Sequence, residues 1–105
     1  MEIIDCDRYA WFLLRDGSGD YLSVRVQQSF VEYSMLIRLT PQEREAYQTG
    51  GHTYADLLAT QVNDHPSRYR ERDMEKELGS LVTQTVVAWR ATDEDKIRDQ
   101  NAGSA

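Results

Sequence analysis

The stretch His65-Pro66-Ser67-Arg68-Tyr69-Arg70-Glu71-Arg72-Asp73 places three arginines at alternate positions in a chain whose formal net charge is -6. In an extended backbone Arg68, Arg70 and Arg72 would share one cationic face, a strip suited to phosphates or carboxylates. In a helix Arg68–Glu71, Arg70–Asp73 and Arg72–Glu75 would become opposite-charge neighbours one turn apart. Over residues 65–78 the cations Arg68, Arg70, Arg72 and Lys76 are matched by Glu71, Asp73, Glu75 and Glu77, so the segment is locally neutral. Nucleic-acid binding needs several uncompensated phosphate contacts, and this balance disfavours it. A solvated, self-paired segment is expected, with replacement of all three arginines by serine changing stability little. The competing expectation is a partner-binding set made of Arg68, Tyr69, Arg70 and Arg72. Arg68 and Arg70 are the pair least matched within a helix, because cations in a first turn oppose the helix dipole.

Other constellations carry less. Asp16-Gly17-Ser18-Gly19-Asp20 starts like a calcium loop, but position 6 is Tyr21 and position 12 is Gln27 where Gly and Glu are required. A hairpin loop is expected instead. Asp5-Cys6-Asp7 sets a thiol between carboxylates, which raise a thiol pKa and work against nucleophilic chemistry. His52 and His65 flank one predicted helix, roughly 15 Å or more apart, too far to share a metal. No metal, no cofactor and no catalytic residue is expected from these patterns. Aromatic residues Trp11, Tyr33, Tyr54 and Trp89 are the candidates for lining a small-molecule pocket between helices and sheet; for each of them a core position is the simpler expectation.

These residues need elements to position them. Tyr9–Arg15 and Tyr21–Gln27 are aromatic and branched and flank the glycine loop, predicting a β-hairpin. Val31, Tyr33, Met35, Ile37 and Leu39 alternate, predicting a third strand over 30–39. Leu22, Val24 and Val26 occupy even positions and the later set odd ones, so a turn or bulge must intervene near residues 27–29, and a turn is favoured. Thr40-Pro41-Gln42-Glu43 is a helix start with a capping box. That helix is expected to end at Gly50-Gly51, and a second to begin at Thr53 with Tyr54, Leu57, Leu58 and Val62 facing the sheet. A third is predicted up to residue 78, stopped by Gly79, followed by a final strand over 81–90 from its β-branched and aromatic content.

The fold class that results is α+β: an antiparallel sheet of about four strands, made of a three-stranded meander, two or three helices and a final strand, with the helices packed on one face. Residues 1–92 form one domain and residues 93–105 a flexible polar tail.

With 18 acidic against 12 basic side chains, the whole-molecule field repels nucleic acid and anionic lipid. The longest apolar run, Tyr9 to Leu14, falls far short of the ~20 residues of a membrane helix. A single cysteine and no leader pattern suit a reducing, cytoplasmic setting, and the excess of arginine over lysine suits a bacterial chain. The expected function is that of a small acidic protein acting by protein–protein binding, of inhibitor, immunity or accessory type, with six tyrosines as candidate anchors. The alternative is the aromatic pocket, binding or transforming a small molecule. Strand edges are able to pair two copies across a two-fold, so a homodimer belongs among the expectations.

Overall fold

Trp11-Phe12-Leu13-Leu14 is apolar without alternation, and all four residues are buried. Side chains of a strand point alternately to its two faces, so this run requires a sheet covered on both sides. The computed structural model, which describes residues 1–7 and 10–104 and side chains as far as residue 92, has that architecture. It is α+β, with a four-stranded antiparallel sheet in the order β1 (Glu2–Asp7), β2 (Trp11–Asp16), β3 (Gly19–Gln28), β4 (Val31–Arg38). Two helices follow, α1 (Pro41–Asp64) and α2 (Glu75–Ser104). None of the described helices is long and apolar enough to cross a membrane.

Against α1 pack Trp11 and Leu13, Leu22, Val24 and Val26, and Met35, Ile37 and Leu39, joined by Ala55, Leu58, Ala59 and Val62 of the helix. On the opposite face Phe12, Leu14, Tyr21 and Leu36 meet Val82, with Leu78, Val86 and Trp89 alongside. The expectation of helices on one face is therefore corrected: the sheet lies between them. The parity rule across β3 and β4 holds, and a turn satisfies it. Gln28 pairs with Val31, which leaves Ser29 and Phe30 as a two-residue turn, with Ser29 at φ 53°.

The sheet differs from expectation at both ends of the chain. β1 is an additional edge strand, paired with β2 from Glu2↔Arg15 to Asp7↔Trp11 with a register shift between Ile3 and Asp5. Its sequence, EIIDCD, has no alternation to announce it. The predicted final strand over 81–90 is instead helical. Leu78, Val82, Val86 and Trp89 fall on one face at i, i+4, i+8 and i+11, and this stripe covers the second sheet face. Tertiary burial overrides the β propensity of LVTQTVVAWR. Gly79 does not stop the helix; it lies inside α2, where a Cβ would come 2.6 Å from Glu75 Oε1. The expected polar tail, residues 93–105, falls on side chains outside the described residues.

The start of α1 has the expected capping box: the Glu43 N–H donates to Thr40 Oγ1 (3.1 Å) and the Thr40 N–H to Glu43 Oε1 (2.8 Å). The two predicted helices are one element with a kink. Gly51 takes φ 59°, ψ -141°, a conformation open to glycine, and the chain resumes as helix at once.

Residues 65–74 carry the chain from one face of the sheet to the other around the edge of β4. They form two 3-10 turns, Pro66–Arg68 and Arg70–Arg72, and then pair with the strand. The Met74 N–H donates to the Leu36 carbonyl (2.6 Å), while Asp73 Oδ1 accepts from the N–H groups of Leu36 and Glu75 (both 3.0 Å). One carboxylate thus closes the edge of β4 and caps α2.

Candidate functional site

The 3-10 backbone separates the arginines that an ideal strand or helix would have aligned. Arg72 turns inward. Its guanidinium donates to Glu43 Oε2 (3.2 Å) and Oε1 (2.5 Å) and to the Arg38 carbonyl (2.8 Å), and it lies 5.6 Å from the centre of the Tyr69 ring. Burial raises the proton affinity of Glu43, but the Arg72 hydrogen bond and the Thr40 amide outweigh it and hold the carboxyl below its ordinary value. Tyr69 packs against the α1-side core and donates to Gln61 Oε1 (3.3 Å). Arg68 and Arg70 are exposed.

The four residues proposed as one set are thus two structural and two solvent-facing. Arg72→Ser is expected to lower stability by about 1.5 kcal/mol, the scale of charged hydrogen bonds discounted for partial exposure. Arg68→Ser with Arg70→Ser should stay within about 0.5 kcal/mol of the parent. Urea unfolding of the single and double variants measures both.

The tip of the β3–β4 hairpin is the most exposed apolar surface described. The strands continue past the end of the α1 cover, where Phe30 is 105%, Val31 60% and Tyr33 37% exposed. The hairpin is held at its root. The Gln27 N–H donates to Asn63 Oδ1 (2.9 Å) and the Gln28 side chain to the Asn63 carbonyl (3.3 Å), and Arg25 Nε sits 2.9 Å from Glu32 Oε1 across the strands. Asn63 touches the hairpin and Asp73 pairs with Ile37, so the intervening residues lead away from the tip to the far end of β4, where Arg72 meets the Arg38 carbonyl. Sequence reasoning placed Val31 and Tyr33 in the core alternation and passed over Phe30. The available signal was that β4 alternates farther than a helix ending at Asn63 can cover.

The four aromatics proposed as a pocket do not converge. Trp11 lies under α1, its Nε1–H donating to Asp56 Oδ1 (3.2 Å) and its ring centroid 4.9 Å from that of His52. Tyr54 packs on the same core beside Leu13, Leu22 and Leu39, in a gap too tight for water. Tyr33 stands at the hairpin tip, and Trp89 is on the other face, edge-on to Phe12 with centroids 5.9 Å apart.

Asp5-Cys6-Asp7 is split between faces. Asp5 accepts from Tyr47 Oη (3.0 Å) and pairs with His52 Nδ1 (2.9 Å), while Cys6 packs on the α2 side. The Asp5 hydrogen bond raises the His52 pKa, and burial together with the same carboxylate raises that of Tyr47. The bulge in β1 and the Gly51 kink meet at this cluster, which ties the edge strand to α1. Asp16 Oδ1 accepts from Ser18 N (2.8 Å), Ser18 Oγ (2.7 Å) and Gly19 N (3.1 Å), so it folds the expected hairpin loop. Among the described residues no three His, Cys, Asp or Glu side chains are grouped to hold a metal ion.

Two shallow clefts lie among the described residues beside these clusters, in addition to an open depression over Glu75, Gly79, Ser80, Thr83 and Gln84. One, of about 200 Å³, lies beside Trp11, Asp56, Thr60 and Asn63. The other, of about 220 Å³, lies between α2 and the outer half of the sheet, beside Ser23, Ser34, Glu75 and Thr83. No family model, curated protein or solved structure matches this chain.

Proposed function

We propose that this chain works by protein–protein binding, as an inhibitor, immunity or accessory protein, and that the β3–β4 hairpin tip is its contact surface. The observation that carries this reading is Phe30, an aromatic side chain wholly in solvent at the end of an anchored hairpin. An aromatic anchor on a rigid support is what dominates binding energy at interfaces. Val31 and Tyr33 extend the apolar contact, and Arg68 and Arg70 are exposed cations on the segment that leads away from the tip, in a chain that is otherwise acidic. The partner that fits is a protein with an apolar pocket edged by carboxylates. A reducing, cytoplasmic setting suits the single thiol.

The test places a photo-crosslinking residue at position 30 and, as a control, at position 17 on the opposite end of the sheet. Crosslinking in native cells should yield one stoichiometric partner from position 30 alone. With that partner purified, Phe30→Ser should weaken binding about 30-fold, the scale of a 2 kcal/mol anchor, while melting is unchanged. Arg68→Ser with Arg70→Ser should slow association and reduce its salt dependence. Equal crosslinking from both positions, or affinity indifferent to Phe30, overturns the proposal. Crosslinking only to a second copy of the chain replaces it with self-association.

A further inference from the structure

Apart from the hairpin, the cleft beneath α2 contains a polar group that the fold does not satisfy. Glu75 Oε2 is shut off from solvent, exposing less than 1 Å², and accepts no hydrogen bond within the chain. Its seat is made by Gly79, since a Cβ there would lie 2.6 Å from Oε1 and 2.9 Å from the carboxyl carbon. A helix interior is a costly place for glycine, by about 1 kcal/mol against alanine. Here the missing side chain leaves the room in which the carboxyl rests.

Beside that carboxyl the cleft of about 220 Å³ is lined by the hydroxyl-bearing Ser23, Ser34 and Thr83, then by Val82, Val86 and Phe12. Two guanidinium groups border the cleft, and both are engaged apart from Arg90 Nε, which like Glu75 Oε2 is buried with no hydrogen bond. Arg25 pairs with Glu32 at 2.9 Å, and Arg90 lies over the Phe12 ring at 5.8 Å with further contacts of its own. The charged neighbour that acts on Glu75 is Asp73, another carboxylate.

We propose that this cleft binds a linear alkylammonium, with the cationic head on Glu75 and the chain along Val82, Val86 and Phe12. An ammonium group has three N–H donors, which match one carboxylate and neighbouring hydroxyl oxygens. The Glu75 carboxyl rests beside Gly79, which lies about 4.5 Å from Val82 and about 10 Å from Val86 along the helix axis, so an extended chain of about six carbons passes Val82 and points toward Val86.

Burial, reinforced by Asp73, raises the Glu75 pKa, and a bound cation reverses that shift. The charged groups around it are Asp73 from the connection, Arg25 and Glu32 from the sheet, and Arg90 from α2. Affinity therefore rises with pH as Glu75 ionises and levels off above its pKa.

The probe is n-hexylamine, titrated by calorimetry and amide chemical shifts into the full chain, beside 1-hexanol and hexanoate. Saturable binding of the amine is expected, weaker by about tenfold for the alcohol and undetectable for hexanoate. Glu75→Gln keeps the shape, removes the charge and should cost about tenfold in amine affinity. Gly79→Ala keeps the charge but displaces it from its seat. It should lose the amine similarly while gaining helix stability, so the two variants report independently should either fold poorly. Hexanoate binding as tightly as the amine, no saturation at neutral pH, or amine affinity unchanged in both variants overturns the assignment. None of these outcomes bears on the hairpin contact.

Discussion

Trp11→Ala is expected to cost about 4 kcal/mol, within the range for deleting a buried indole from a core. The residue is 1% exposed and packs among Leu22, Val24, Ala55 and Ala59. Its Nε1–H donates to Asp56, and its ring meets His52, so truncation also removes a clasp between β2 and both sides of the middle of α1. A cavity of indole size cannot close by moving the sheet, because Phe12, on the reverse face of the same strand, is buried against the α2 side. For a domain of this size such a loss lowers the melting temperature by roughly 15–30 °C, which differential scanning calorimetry reads directly. A drop of only a few degrees would mean that α1 contributes little to the cooperative unit.

Arg15→Met should cost about 2 kcal/mol at pH 7, below the range for removing one partner from a fully buried ion pair, because the Asp20 carboxylate is buried while the Arg15 side chain is 42% exposed. Asp20 is the one buried charged side chain among the described residues, at 1% exposure. Arg15 grips it through Nε to Oδ1 (2.8 Å) and Nη2 to Oδ2 (3.1 Å), and Arg44 of α1 stands 3.6 Å away. Without Arg15 the carboxylate keeps only the longer contact to Arg44.

The pH dependence follows from the same contacts. The Arg15 hydrogen bond, opposed by burial and aided by the charges of Arg15 and Arg44, depresses the Asp20 pKa in the folded chain. A depressed carboxyl stabilises the fold above its unfolded pKa of about 3.9, and that stabilisation disappears as pH falls through the lower folded value. The gap between parent and Arg15→Met should therefore be full at pH 7 and narrow below about pH 4. Denaturant unfolding at pH 7, 5, 4 and 3 measures it; a gap independent of pH would show that Arg15 acts by packing its aliphatic stem.

The sites show why local pattern and tertiary position part company. Capping at Thr40 and Glu43 is a contact over three residues, so the side-chain types alone specify it. The arginines at 68, 70 and 72 offered two regular geometries, and the chain adopts neither, because it has to turn the edge of β4 and pair Asp73 with Ile37 on the way. That turn brings Arg72 to Glu43, 29 positions away in sequence, a contact no short-range spacing encodes. Glu75 and Gly79 were readable only as a charged residue and a helix stop, because the cleft they border is completed by Ser23 and Ser34 of the sheet, more than 40 positions away in sequence.

What the amino-acid sequence by itself determined is what period and local chemistry encode: α+β class, the β2–β3 and β3–β4 hairpins with their shared core parity, and the capped start of α1. Tertiary structure alone decided the recruitment of Glu2–Asp7 as an edge strand, the placement of helices on both faces, and the helical state of residues 81–90. The physical reason is the same in each case. Those segments have apolar residues compatible with strand or helix, and the choice is made by the surface left to cover. The second face of Trp11-Phe12-Leu13-Leu14 needed a long apolar stripe, and α2 presents one.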